Sequence, residues 1–182
     1  MKKSTGINGF GRFGLHLIKY WLDRSSEANF TIDFINDDFL TIDDAYDIII
    51  QDKAVVFNKY KVKKIGSTMR FLEADGKVHE IEYTNFPKDQ IPWIGRPDYF
   101  LECSGKNTIK EDCQDFLTGN TKMVAISATS WDCDKVLVYG FNEATFQPKV
   151  DKVISYGSCT VNAYIPICEY MNKKYGILDS DV

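Results

Sequence analysis

The spacing of apolar residues switches along the chain between the two-residue period of strands and the three-to-four-residue period of helices. Near the N-terminus, a short apolar strand runs into a glycine-rich turn, and a helix with one apolar stripe follows. A second strand and a second helix repeat this order. The corresponding segments are the strand from Thr5, the helix over 15–22, the strand over 30–35 and the helix over 41–50, which Thr41 caps.

Between residues 55 and 83 the pattern changes, because short β-like runs replace the helices. Asp75-Gly76 is a hairpin signal between two of these runs, so we expect a β-meander inserted in an α/β pattern. The runs cover 55–57, 69–72 and 78–81. Strands are then predicted over 99–102, 123–126, 136–139 and 153–155, and helices over 108–117 and 163–171.

This order predicts the fold class. Strands alternating with helices behind a glycine turn are typical of α/β proteins with a Rossmann-type, doubly wound, mostly parallel sheet. We expect residues 1–155 to form this domain and residues 156–182 to begin a second one.

Composition narrows the function classes. The 182 residues are 44% hydrophobic and carry a net charge of -4, which indicates a globular protein without the basic surface that nucleic acids or anionic membranes require. No apolar stretch approaches the ~20 residues of a membrane span, so we expect a cytoplasmic protein. The 5 cysteines lack C-x-x-C spacing, which argues against a disulfide framework and a zinc site, and no metal is expected.

The first turn carries the pattern Gly9-x-Gly11-x-x-Gly14. In a dinucleotide-binding loop, the first glycine makes the tight turn, the second lets the backbone approach the pyrophosphate, and the third allows close packing of helix and strand. The pyrophosphate then lies at the helix N-terminus. The spacing alone is also compatible with a simple turn.

Asp37 ends the second strand about 20 residues after the glycine loop, which is where this motif places an acidic residue. Its carboxylate can accept hydrogen bonds from the adenosine ribose hydroxyls. Together with Asp38, and with no arginine following, it repels a 2′-phosphate, so NAD is favoured over NADP. The alternative interpretation is a turn or helix-capping aspartate.

Cys159 lies between a predicted strand and a predicted helix. A thiol at a helix N-terminus is biased toward the nucleophilic thiolate, and the free backbone N–H groups there can hold an oxyanion. Ser158 and Thr160 add hydroxyl groups that can bind phosphate. The alternative is a small buried cysteine without chemistry, which is the role predicted for Cys103, Cys113 and Cys168.

Five segments together closely resemble phosphorylating glyceraldehyde-3-phosphate dehydrogenases. The most specific is Ser158-Cys159-Thr160-Val161-Asn162, whereas the glycine pattern alone is common. The others are residues 6–14, 35–37, 127–130 and 140–142.

The resemblance implies NAD as cofactor and a thioester mechanism on Cys159. The thiolate adds to the aldehyde, oxidation gives a thioester, and inorganic phosphate releases an acyl phosphate. A phosphorylated aldehyde is the implied substrate, and the full-length protein is expected to be a homo-oligomer, a tetramer in this family.

The resemblance also implies a role for individual residues. Arg12 and Phe13 would contact the pyrophosphate, and Asp37 the ribose. Ser104 and Gly105 would contact the adenosine side, Ser127 would lie near the nicotinamide, and Ser158 and Thr160 would bind phosphate.

The resemblance covers roughly the first half of a family chain. Tyr156-Gly157 replaces the usual Asn-Ala, and Ala163 replaces a second cysteine. The family's base histidine lies beyond Val182, while His16 and His79 match no family position, so we expect these 182 residues alone not to turn over substrate. The alternatives left open are an erythrose-4-phosphate dehydrogenase and a non-catalytic NAD-binding module.

Overall fold

The computed structural model describes residues 1–181. Its first half alternates strands and helices up to residue 51 and then contains three antiparallel strands. The elements are β1 (Lys3–Asn8), α1 (Arg12–Asp23), β2 (Phe30–Asn36), α2 (Ile42–Gln51), β3 (Lys61–Ile65), β4 (Thr68–Leu72) and β5 (Val78–Thr84).

The second half returns to parallel strands and ends in a long helix. Two short 3₁₀ turns, Lys88–Gln90 and Glu143–Thr145, lie in its loops. The elements are β6 (Tyr99–Glu102), α3 (Lys110–Gln114), β7 (Met123–Ile126), β8 (Lys135–Val136), β9 (Val153–Ser155) and α4 (Cys159–Tyr175).

Within the described residues, all strands form one 9-stranded sheet in the order β3-β4-β5-β2-β1-β6-β7-β9-β8. Pairing is parallel from β5 to β8, and only the β3–β4 and β4–β5 pairs are antiparallel. The loops after β1, β2, β6, β7 and β9 therefore meet at one edge of the sheet, where ligands bind in such folds. The predicted doubly wound, mostly parallel Rossmann-type fold is confirmed.

Apolar side chains cover both faces of the central strands. One cluster packs α1 and α2 on the sheet through residues such as Ile7, Ile18 and Phe71. The other contains a row of aromatic rings, with centroids 5.5 Å apart for Phe34–Trp93, 5.4 Å for Trp93–Phe100 and 3.9 Å for Phe100–Phe116. This double burial is what produces the near-continuous apolar runs of a parallel sheet.

The meander is present, but its last strand also belongs to the parallel sheet. β5 pairs antiparallel with β4 and parallel with β2, so it is the outermost parallel strand rather than part of an insertion alone. The predicted strand over 55–57 is wrong: this segment is a loop, although Val55 and Phe57 are buried. Strand β3 was not predicted, because Lys61, Lys63 and Lys64 hide its two-residue period.

Three other boundaries differ from the predictions. The strand expected over 136–139 is only Lys135–Val136, because Asn142 Oδ1 accepts the N–H of Val138 at 2.7 Å and turns the chain away. The helix expected over 108–117 is only Lys110–Gln114. Helix α2 matches its prediction, and Thr41 caps it in a reciprocal capping box with Asp44.

Helix α4 begins at Cys159, earlier than the apolar pattern alone predicted, and none of its residues is buried. The proposed division into residues 1–155 and 156–182 stays a prediction, and Val182 lies outside the described residues. No helix found in residues 1–181 combines the length and apolarity needed to cross a membrane.

Candidate cofactor crevice and cysteine site

The glycine loop after β1 is held by two very close backbone approaches. Gly9 has a φ of +102°, and a Cβ atom added to it would lie 2.5 Å from the backbone nitrogen of Ser104. A Cβ atom on Gly14 would lie 2.3 Å from the carbonyl oxygen of Gly9. Both distances are far too short for real atoms, so these positions require glycine. The tight turn and the close packing of helix and strand expected from the pattern are both present.

Gly11 differs from its two neighbours because the space around it is open. It is the N-cap residue of α1, nothing lies within 4 Å of its potential Cβ position, and no side chain caps the helix. The first turn of α1 also contains no acidic residue. The first turn of α1 therefore has neither a side-chain cap nor an acidic residue of its own, which suits a pyrophosphate.

Arg12 and Phe13 form the exposed start of α1. Phe13 is 51% exposed. The guanidinium of Arg12 forms an ion pair with the carboxylate of Asp52, which lies at the end of α2. Hydrogen bonding to Arg12 holds the pKa of Asp52 well below its usual range. Arg12 thus links the two helices and remains at the crevice edge.

Asp37 is nearly buried, and both of its carboxylate oxygens accept backbone N–H groups. Oδ2 accepts the N–H of Phe10 at 2.7 Å, while Oδ1 accepts the N–H groups of Phe39 and Leu40 at 2.9 Å each. These contacts match the turn interpretation, and they also tie the end of β2 to the glycine loop. Since a carboxylate has about four lone-pair sites, capacity for a ribose hydroxyl remains.

The neighbour Asp38 has a partner that sequence spacing did not reveal. The Nζ atom of Lys106 lies 2.6 Å from Asp38 Oδ2 and 3.9 Å from the centre of the Phe39 ring. Lys106 comes from the loop after β6, so the ion pair bridges two loops on either side of β1. It partly offsets the negative charge that we expected from Asp37 and Asp38.

Ser104 and Gly105 lie in this same loop after β6. Both the backbone N–H and the hydroxyl of Ser104 donate to Glu102 Oε1, and Gly105 is exposed with a φ of +73°. Ser127 follows β7, where its N–H donates to the carbonyl oxygen of Glu102 at 2.9 Å. Glu102 therefore contacts both predicted site loops, although the sequence analysis gave it no role.

A row of buried polar side chains extends from Glu102 across four adjacent strands. Each member donates to the next: Asn8 to Glu102 at 2.8 Å, Asn36 to Asn8 at 3.0 Å, and Thr84 to Asn36 at 2.9 Å. Trp93 Nε1 donates to Thr84 Oγ1 at 2.9 Å. In the sequence, the signal for this row is a polar residue at the end of each otherwise apolar strand.

Cys159 is exposed and is the first residue of α4. The Ser158 hydroxyl caps the helix by accepting the N–H of Val161 at 3.0 Å, and Asn162 Nδ2 donates to the carbonyl oxygens of Tyr156 and Ser158 at 2.6 and 2.9 Å. Local hydrogen bonds thus hold the thiol beside the N-terminal N–H groups. The expected placement of this cysteine at a helix N-terminus is confirmed.

The two hydroxyls flanking Cys159 differ in availability. The Ser158 oxygen is already used as the helix cap, whereas Thr160 is exposed. Their predicted role in phosphate binding stays a prediction.

The other cysteines offer a clear contrast. Burial and the nearby charge of Glu102 raise the pKa of Cys103 to about 12, and burial chiefly does the same for Cys113, whose pKa is also about 12. Both are therefore neutral near pH 7, as a packing role requires. Cys168 was expected in a packed helix interior, but it is only half-buried because α4 contributes nothing to the core.

The two histidines lie on other elements. His16 is exposed on α1 and stacks on Tyr20. His79 is buried in β5, where Nε2 lies 2.6 Å from Glu73 Oε1. These surroundings fit the surface and structural roles expected for them.

One groove of about 420 Å³ along the sheet face beside α1 contains two of the predicted site residues, Phe13 and Ser127. Phe13, Cys103, Ser127 and Tyr156 line it near the carboxyl ends of the strands. Gly9, Asp37 and Ser104 instead meet around the glycine loop, between β2 and β6. The structure thus places Phe13 and Ser127 in one groove and Gly9, Asp37 and Ser104 around the glycine loop.

The fold and the glycine loop define a Rossmann-type α/β domain. The chain is glyceraldehyde-3-phosphate dehydrogenase-like over almost its whole length, which confirms the resemblance. The cytosolic glyceraldehyde-3-phosphate dehydrogenase of Craterostigma plantagineum is 32% identical over 179 residues, which are 98% of this chain and 51% of that protein. The enzyme of Lactobacillus delbrueckii subsp. bulgaricus is 31% identical over 97% of this chain and 52% of its own length.

Glyceraldehyde-3-phosphate dehydrogenase 1 of Giardia intestinalis is 33% identical over 173 residues, covering 94% of this chain and 49% of that protein. The chain therefore spans about half the length of the curated relatives it matches. No family model matches it.

Proposed function

We propose that this chain binds NAD and carries the nucleophilic cysteine of a phosphorylating aldehyde dehydrogenase that acts on glyceraldehyde 3-phosphate. The observation that carries the proposal is the exposed Cys159 at the start of α4, at the same sheet edge as the glycine loop. The similarity to glyceraldehyde-3-phosphate dehydrogenases supports the choice of substrate. The relatives reported above give no specific support to erythrose 4-phosphate.

The residues of the crevice fit NAD. The uncapped N-terminus of α1 and the open space at Gly11 suit the pyrophosphate, with Arg12 and Phe13 beside it. Asp37 would hold the ribose, Ser104 and Gly105 the adenosine side, and Ser127 the nicotinamide side. When bound, NAD+ supplies the two-electron oxidant that converts an aldehyde to the acyl level.

The chain's own chemistry takes place on the Cys159 sulfur. Its thiolate adds to the aldehyde carbon, and the free N–H groups of the first turn of α4 stabilise the resulting oxyanion. Once the carbon is at the acyl level, the sulfur carries a thioester. Inorganic phosphate, held by Ser158 and Thr160, attacks this carbon and releases an acyl phosphate and the thiolate. Cytoplasmic location and a homotetrameric full-length protein belong to the same proposal.

Titration with NADH tests the cofactor part. Gly11→Ala places a methyl group in open space, so the fold should remain intact while the pyrophosphate can no longer approach the backbone. We expect at least about tenfold weaker NADH binding, with an unchanged unfolding temperature. A wild-type chain that binds no NADH, or a variant that binds it normally, contradicts this part of the proposal.

The activity is tested by following acyl phosphate formation from glyceraldehyde 3-phosphate, NAD+ and inorganic phosphate in the intact protein that contains this segment. Cys159→Ser should abolish it, whereas Cys168→Ser, on the same helix, should leave it unchanged. Activity that survives Cys159→Ser would rule out the thioester route.

A further inference from the structure

Glu102 is a carboxylate that is only 1% exposed at the end of a central strand. Among residues 1–181, the side chains and backbone that donate to it, from Asn8, Ser104 and Asn107, are all uncharged. Oε2 accepts the side-chain N–H groups of Asn8 at 2.8 Å and Asn107 at 3.0 Å. Oε1 accepts the backbone N–H of Ser104 at 2.8 Å and the Ser104 hydroxyl. A buried charge costs free energy unless its hydrogen bonds are complete, and here each oxygen receives two donors.

A backbone N–H group fixes the direction of the hydrogen bonds that lead from Asn36 through Asn8 to Glu102. The N–H of Phe86 donates to Asn36 Oδ1 at 3.1 Å, so the Asn36 amide must direct its nitrogen at Asn8 Oδ1. The Asn8 amide must in turn direct its own nitrogen at Glu102. A backbone N–H cannot reverse its role as a donor, so the row ends at a position that requires an acceptor.

Oε1 of residue 102 must also be an acceptor, because the Ser104 backbone N–H can only donate. Only a group with acceptors on both atoms fits both sides. A carboxylate meets this condition, whereas the amide of glutamine would set one N–H against another in either orientation. The site thus specifies a glutamate rather than a glutamine.

The groups that Glu102 holds are those around the proposed adenosine site. Ser104 lies directly against Gly9, where an added Cβ atom would be 2.5 Å from the Ser104 nitrogen. The N–H of Cys103 also donates to the carbonyl oxygen of Asn8 at 2.7 Å. The loop after β6 and the glycine loop after β1 are therefore joined both by this backbone contact and by the side chain of Glu102, which accepts from Asn8 and Ser104.

We propose that Glu102 is a positioning residue that sets the loop containing Ser104 and Gly105 against the glycine loop, and so determines the affinity for the adenosine half of the cofactor. This inference rests on the proposed NAD-binding function. Glu102 acts through Ser104 and Asn8 and does not itself contact the ligand.

The test compares Glu102→Gln with Asp151→Asn in calorimetric titrations of NADH and ADP-ribose. Asp151 is the buried-carboxylate control: it is 5% exposed, accepts the N–H of Gln147 at 2.7 Å, lies 3.1 Å from Lys135 Nζ and precedes β9 at the opposite sheet edge. We expect Glu102→Gln to weaken both ligands by at least about tenfold, because both contain adenosine, a tenfold change being about 1.4 kcal/mol. Asp151→Asn should lower the unfolding temperature and leave both affinities within about twofold, which is the error of such titrations.

A double-mutant cycle with Ser104→Ala separates positioning from a general structural role. If Glu102 acts through Ser104, the double variant loses little more affinity than Glu102→Gln alone. Additive losses, wild-type affinity in Glu102→Gln, or an equal loss in Asp151→Asn would each overturn the proposal. Should Glu102→Gln fail to fold, Asn107→Ala decides the question, since it removes one half-buried donor and should weaken both ligands.

Failure of the proposed function would be visible separately, because the wild-type chain itself would bind no NADH. The positioning role is then judged by amide hydrogen exchange, which needs no ligand. Glu102→Gln should raise exchange at Ser104 by at least about tenfold, while Asp151→Asn leaves it unchanged. Unchanged exchange at Ser104 in Glu102→Gln would overturn the inference.

Discussion

The glycine loop and the cysteine helix α4 lie at the same sheet edge but are built in different ways. Around the loop, backbone atoms approach so closely that Gly9 and Gly14 tolerate no side chain, and a buried polar row fixes the neighbouring strands. Helix α4 has no buried residue, and the hydrogen bonds of Ser158 and Asn162 fix its start. Tertiary packing thus positions the proposed cofactor site, whereas local capping positions the proposed nucleophile.

Gly14→Ala is the strongest way to break the packed side of this comparison. The new methyl group would lie 2.3 Å from the Gly9 carbonyl oxygen, so strand and helix must separate. We expect the free energy of unfolding to fall by about 3 kcal/mol, measured by denaturant titration. Gly11→Ala is the control, because its methyl group meets no atom within 4 Å. Equal stability of the two variants would show that the close approach is not a constraint.

The rates at which the cysteine thiols react give a second comparison of the packed sheet with helix α4, with a smaller expected effect. At pH 8, Cys103 and Cys113 are almost entirely protonated because burial raises the pKa of each to about 12. The exposed Cys159 should react with iodoacetamide roughly 100 times faster than either, as followed by peptide mass spectrometry. Labelling of Cys103 and Cys113 should rise only as the pH approaches 12. Equal rates for all cysteines at pH 8 would contradict the assignment.

A pair of helix caps gives the smallest and sharpest test. Thr41→Ala and Ser158→Ala remove the same kind of cap, each worth about 1 kcal/mol. Because Ala45 and Ile49 bury α2 against the core, Thr41→Ala should lower global stability by about this amount. Ser158→Ala should leave global unfolding unchanged and raise amide exchange at Val161 and Asn162 about fivefold. A global loss in Ser158→Ala would show that α4 is coupled to the core.

The sequence predicted well wherever a local pattern determines the structure. The glycine loop, the Thr41 cap and the helix start at Cys159 all follow from residues close together in the chain. Strand β3 was not predicted because its lysines obscure the two-residue period of a strand. The loop over 55–57 was predicted as a strand because Val55 and Phe57 are apolar and buried, although they pair with no strand. Burial alone does not distinguish a strand from a buried loop.

Local sequence patterns could not predict contacts between residues that are distant in the chain. The approach of Lys106 to Asp38 joins loops that follow different strands, and no spacing rule predicts it. Glu102 looked like the polar end of an ordinary strand, and its importance depends on donors from Asn8 and Asn107. The hydrogen bond from the N–H of Phe10 to Asp37 Oδ2 likewise became visible only with the glycine loop in place.

The two ends of the sheet have a consequence for behaviour at high concentration. At one end, β3 exposes Lys61, Lys63 and Lys64, and at the other, β8 is only 2 residues long. A strand edge recruits further chains when it is long, flat and uncharged, so charge at one border and brevity at the other oppose fibril-like stacking. Neutralising the three lysines would create an aggregation-prone border without touching either proposed site.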